Sequence, residues 1–128
     1  AYRRQRQMCI RDSTEESSAS SVFKDYCLSL REGDTKLLLK KLAPTRLVKN
    51  AFREAVEKAE DSGASAEDLR TLLGRGRAKK GIFEGDLEEG ELEIGQVSAI
   101  ISRRQSVAEV MNELVAAYQR AAKKDYLF

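Results

Sequence analysis

The sequence predicts a mainly α-helical chain of about five helices with one or two short strands, and three observations carry that reading. Capping residues precede apolar positions at helical spacing several times along 128 residues that contain a single proline. Glycines stand just past three of those periodic stretches, at Gly33, Gly63 and Gly74, where helices commonly stop. Only Thr35–Leu39 and the pair Ile82–Phe83 read as strand, and both are short apolar runs.

The first helix follows the hydroxyl-rich stretch from Ser17 to Ser21. Val22, Phe23, Tyr26, Cys27 and Leu30 then recur at helical spacing, and Gly33 ends it. After the strand candidate at Thr35–Leu39, Pro44 suits the first turn of a second helix, where its missing N–H costs nothing. Leu47, Val48, Ala51, Phe52, Ala55, Val56 and Ala59 would form its apolar stripe, with Gly63 as the stop. Ser65 with Asp68 is a capping-box variant opening a third helix through Leu69, Leu72 and Leu73. Asp86 with Glu89 repeats that signature and predicts a fourth helix, acidic at its start and interrupted by Gly90 and Gly95. Ser106 with Glu109 opens the last helix, with Val107, Val110, Met111, Leu114 and Tyr118 on one face and Lys123 and Lys124 at its end. No internal repeat is present, and the strands are too few to close a barrel.

Composition narrows the function classes. The net charge is +2, from 23 basic and 21 acidic residues, too balanced to point to nucleic acid. No apolar run approaches the ~20 residues needed to cross a bilayer, and no signal-peptide pattern opens the chain. Cys9 and Cys27 are too few for a disulfide scaffold, and Cys27 falls on an apolar helix face. A cytoplasmic setting fits these features. The chain has no histidine, the commonest general base near neutrality, so a complete acid–base site would need Lys, Tyr or a carboxylate.

Among motifs, Gly74–Gly81 is basic but lacks the P-loop spacing, and reads as a helix stop followed by a solvated turn. The acidic run Asp86–Glu93 lacks the alternating oxygen ligands of an EF-hand and reads as a helix start. No Cys or His in residues 76–101 could bind a metal, and no nucleophile–base set is evident there. Gly95–Gln96 is the sharpest candidate. A glycine costs about 1 kcal/mol against alanine inside a helix, which signals a close approach to the backbone. The approaching group is either a ligand, met by the Gln96 amide, or a neighbouring helix.

Residues 76–101, GRAKKGIFEGDLEEGELEIGQVSAII, resemble the C-terminal signature of the nitronate monooxygenase family. These are FMN-dependent (β/α)8 TIM barrels that include flavin-dependent enoyl-acyl-carrier-protein reductases. Residues 14–24, TEESSASSVFK, resemble the family's T-x-E-S-x-A segment after the last barrel strand, with its following Phe/Tyr-Lys helix. Asp34-Thr35-Lys36 and the run from Arg46 to Asn50 resemble its next landmarks, in the same order, so the likeness covers residues 14–118. The resemblance implies the C-terminal part of an FMN flavoprotein barrel, with Gly95 and Gln96 near the flavin. The family's usual alanine before that glycine is Ile94 here. In such enzymes the nitronate reduces the flavin and O₂ re-oxidises it, giving a carbonyl product and nitrite. The alternative chemistry is NAD(P)H-dependent reduction of an enoyl thioester on acyl carrier protein. The catalytic histidine and the FMN phosphate site are implied to lie upstream, so this piece carries no catalytic residue and is expected to be inactive alone. A non-enzyme alternative is a helical interaction module that reaches an acidic partner through Arg75, Arg77, Lys79 and Lys80.

Residues 1–12, AYRRQRQMCIRD, have neither helical nor strand periodicity and resemble translated sequencing-adapter DNA fused to a gene fragment. The expected division is therefore a non-native segment over 1–12 and the barrel's C-terminal helical portion over 13–128.

Overall fold

A computed structural model describes residues 9–123. Residues 1–8 of the expected non-native segment, and Lys124 at the chain end, lie outside the described residues. Residues 9–13 are helical. Helix α1 (Ser21–Leu28) follows, then strands β1 (Thr35–Leu38) and β2 (Thr45–Val48), helices α2 (Ala51–Asp61) and α3 (Ala66–Leu73), a π-helical turn (Lys79–Phe83), a 3₁₀ turn (Gln96–Ile100) and helix α4 (Val107–Ala122). The chain is mainly helical with two strands, as its capping pattern predicts.

The caps form where the sequence places them. Ser20 accepts from the Phe23 N–H, and Ser65–Asp68 and Ser106–Glu109 both close as full capping boxes. Gly33, Gly63 and Gly74 all adopt positive φ, the conformation that favours glycine at a chain reversal.

The second helix differs from expectation. It starts at Ala51 rather than Pro44, with Asn50 as its N-cap accepting from the Arg53 N–H at 2.9 Å. Residues 45–48 instead pair antiparallel with β1, Thr35 opposite Val48 and Leu38 opposite Thr45. β-Branched Thr45 and Val48 suit a pleated surface, and alternation sends Leu47 and Val48 to opposite faces. That alternation organises the interior. Val48 joins a core of Phe23, Cys27, Leu30, Ile82, Leu92 and Ile94, while Leu47 joins a second core of Leu38, Leu39, Phe52, Val56 and Leu69. Leu39 sits at φ +56, a strained conformation for a bulky residue, and turns the chain out of β1 with its side chain buried.

Two further expectations fail. Ile82 and Phe83 lie in the π-helical turn, not in a strand. The Asp86 carboxylate does cap, accepting from the Glu88 and Glu89 N–H groups, but the turn ends at Gly90, and of the predicted helix only the 3₁₀ turn at Gln96–Ile100 forms. Residues 92–94 run extended along the free edge of β2 instead. The Val48 N–H donates to the Leu92 carbonyl at 3.1 Å, and the Ile94 N–H to the Arg46 carbonyl at 3.2 Å. Leu92 and Ile94 are buried while Glu91 and Glu93 are half-exposed. The run Glu-Leu-Glu-Ile carries this two-residue alternation openly, and the helix signature at Asp86 masked it.

Helix α4 has the predicted apolar face, left largely exposed among the described residues. None of its residues is buried, and Val107, Met111, Leu114 and Tyr118 are 48%, 53%, 51% and 74% exposed.

Candidate functional site

Two pinned turns build the region around Gly95. The first is the segment from Thr14 to Ser20. Thr14 bridges Gln105 in parallel, the Glu15 N–H donates to the Gln105 carbonyl at 2.9 Å, and the Glu16 carboxylate accepts from the Val107 N–H at the start of α4. Lys24, on the first turn of α1, is buried among these residues. Its ammonium donates to the Glu15 carbonyl at 3.0 Å and the Ser17 carbonyl at 2.8 Å, tying the segment to the helix that follows it. A lysine in an amphipathic helix ordinarily reads as solvated, so periodicity gave no sign of this role. Lys24→Met removes both bonds and leaves the carbonyls short of donors, a loss of about 1–3 kcal/mol. Chemical denaturation checks this: an unchanged midpoint would show the tie to be dispensable.

The second turn is the 3₁₀ turn itself. The Gly95 carbonyl accepts from the Ser98 N–H at 3.2 Å and from the Ser98 hydroxyl at 2.8 Å, with Ser98 buried. Gly95 is buried and its N–H donates to the Cys9 thiol sulfur at 3.0 Å. Cys9 and Asp12, inside the segment expected to be foreign, are both buried, and Cys9 belongs to the core of α1. Burial drives the Cys9 thiol to ionise above its usual range. Burial likewise pushes the Cys27 thiol up to about 12, with Asp12 and Cys9 adding to it. Both sulfurs are therefore protonated near neutrality and poor nucleophiles.

Gln96 is exposed, and its side chain lines a groove of about 530 Å³ shared with Arg31, Glu32, Gly33, Thr35 and the rest of the 3₁₀ turn. The structure thus separates the predicted pair. Gly95 is a packed backbone position with its donor engaged, and Gln96 is the member free to meet a ligand. Its amide can both donate and accept a hydrogen bond. Arg31, which lines the same groove, escaped the sequence reading because it sits in a turn with no periodic signal, while Thr35 was read as a strand start and a family landmark rather than as a groove residue.

The other candidate segments are structural. The Arg77 guanidinium donates to the carbonyls of Leu72, Leu73 and Glu89 and lies 4.4 Å over the Phe52 ring, closing the end of α3. Lys79 and Lys80 are within ion-pair reach of Glu84 and Asp86, at 3.7 and 3.0 Å. The basic run between Gly74 and Gly81 is thus held by its own acidic neighbours. Among the described residues, no three His, Cys, Asp or Glu side chains cluster as a metal site would need, and no helix is long and apolar enough to cross a membrane.

No protein-family model and no curated protein matches the sequence. Solved structures do match its fold. FabK from Thermotoga maritima is 23% identical with a TM-score of 0.71, over 87% of this chain and 35% of that one. A point mutant of the same protein is 19% identical with a TM-score of 0.70, over 87% and 32%. This chain spans about a third of the length of the structures it matches, and its fold corresponds to that portion of a TIM-barrel protein.

Proposed function

We propose that this chain is the C-terminal portion of an FMN-dependent oxidoreductase of the nitronate monooxygenase type. The observation that carries the reading is the fold match to one third of a TIM-barrel protein over the stretch where the family's sequence landmarks fall in order. Bound FMN would supply the electron transfer, with the protein's part being to hold and orient the reacting groups. In this chain the residue suited to contact the cofactor is Gln96. The segment after Thr14, fastened by Lys24, is suited to set where the upstream barrel strand ends. The phosphate site would belong to upstream residues, in keeping with the usual position at the last barrel strands.

Two chemistries remain within this proposal. Oxidation of alkyl nitronates is the family's namesake reaction, while the likeness to FabK favours NAD(P)H-dependent reduction of an enoyl thioester. The interaction-module alternative has less support, because three of its four basic residues are already engaged within the chain.

The test is to recover the source gene upstream of these codons, express the parent protein, and assay flavin content and both reactions. A parent that binds FMN and turns over one substrate class supports the proposal, and a parent without flavin overturns it. The 128-residue chain alone is expected to retain no FMN through gel filtration, which requires a dissociation constant near or below about 1 µM. It is also expected to bind a hydrophobic dye along α4. Stoichiometric flavin on the chain alone would refute the claim that the upstream barrel is needed.

A further inference from the structure

We infer that the groove between the 31–35 turn and the 96–100 turn binds a small organic anion with a short apolar tail, and that Arg31 reads its charge. Both walls are braced from behind. The Arg31 N–H donates to the Asp34 carboxylate at 2.7 Å, Gly33 turns the chain at φ +89, and the Asp34 carbonyl accepts from Arg53 at 2.9 Å. Thr35 accepts from the Arg46 guanidinium through its carbonyl and its hydroxyl, at 3.3 and 3.2 Å. The opposite wall is fixed by Ser98 on the Gly95 carbonyl. Neither wall has to be ordered when a ligand arrives, which lowers the cost of binding.

The groove's chemistry is mixed in the way small-molecule sites are. Its volume of about 530 Å³ falls within the ordinary range of ligand clefts, roughly 300–1,000 Å³. Arg31, like Arg46, Arg75 and Arg120, has no carboxylate within ion-pair reach among the described residues, and of these four it is the one that lines this groove. An unpaired guanidinium offers a planar fork of donors to a carboxylate, phosphate or nitronate. The Gln96 amide adds a donor, and Ile100, 81% exposed, gives an apolar lip against which a short chain can lie. Glu32 lines the same groove and opposes an anion, so its removal should help binding.

The inference deepens the proposed function, on which it rests for what the anion is in the parent enzyme. An alkyl nitronate carries its negative charge on the reacting group, and an enoyl thioester does not. The test itself needs no flavin. Hexanoate is titrated into the isotopically labelled 128-residue chain and followed by NMR, with Arg31→Gln and Glu32→Gln alongside. Saturable shifts are expected at the Arg31 and Gln96 side chains and the Ile100 methyls. Arg31→Gln should weaken hexanoate about three- to five-fold and Glu32→Gln should tighten it about two-fold, the scale of exposed charge pairs. Shifts confined to α4, or affinities unmoved by both substitutions, would overturn the site and leave the flavin proposal standing. A flavin-free parent alongside normal hexanoate binding would do the reverse.

Discussion

Replacing Gly90 with alanine is expected to unfold most of the chain or to lower its denaturation midpoint sharply. A Cβ at Gly90 would lie 2.2 Å from the Gly81 Cα, 2.4 Å from the Asp86 carbonyl oxygen and 2.8 Å from the Gly81 nitrogen. All three are backbone atoms, which cannot rotate aside as the end of a side chain can. The contact is also clamped from the other side, because the Asn50 amide donates to the carbonyls of Gly90 and Leu87 at 2.7 and 3.1 Å. Overpacking of this kind costs about 1–3 kcal/mol or more. Against a total stability of about 5–15 kcal/mol, such a loss is severe. In urea, where the slope is about 1–3 kcal/mol per molar, the midpoint should fall by about 1 M or more. Gly33→Ala is the control. No atom lies within 4 Å of its Cβ position, and only its φ of +89 opposes the change, a cost of about 1–2 kcal/mol. If Gly90→Ala proved no worse than Gly33→Ala, the backbone contact would not be a determinant of the fold.

Alkaline pH should destabilise the chain through Cys27. Its thiol is 1% exposed, and burial raises its ionisation from the ordinary 9.0 to about 12. In the unfolded chain the thiol ionises near the ordinary value, so the folded form binds the extra proton between those two points. Stability from this group is therefore complete below pH 9 and declines as pH rises towards 12. The difference between 9.0 and about 12 amounts to about 4 kcal/mol at the upper end. Cys27→Ala should cost about 1 kcal/mol near neutrality, from the small cavity, yet lose less stability with rising pH. Cys9 and Tyr26 are present in both proteins, so the difference between the two curves is dominated by Cys27. Parallel curves from pH 8 to 11 would mean that the thiol is not buried as described.

Local chemistry written in a few consecutive residues was legible in the sequence. Ser65–Asp68 and Ser106–Glu109 close as capping boxes, Gly63 and Gly74 end their helices, and Thr35–Leu38 is a strand. Each depends on groups within about one turn of one another, so spacing suffices to find it. The candidate site was legible only in part. Gln96 lines an open groove, but the donor of its predicted partner Gly95 is taken by Cys9, 86 residues away in the chain.

The sequence by itself determined the helical class, the caps and the apolar stripes, because these follow from backbone geometry and neighbouring side chains. Tertiary structure decided the rest. Residues 45–48 suit a helix stripe or a strand equally well on periodicity, and pairing with β1 on one edge and residues 92–94 on the other settles them as strand. The acidic turn at Asp86 stops because Gly90 meets Gly81, a contact between residues far apart in helical spacing. Lys24 is buried because two carbonyls from the preceding segment receive its ammonium. In each case the deciding free energy comes from burial and hydrogen bonding between separate segments, some only seven to nine residues apart, beyond the reach of helical or strand periodicity.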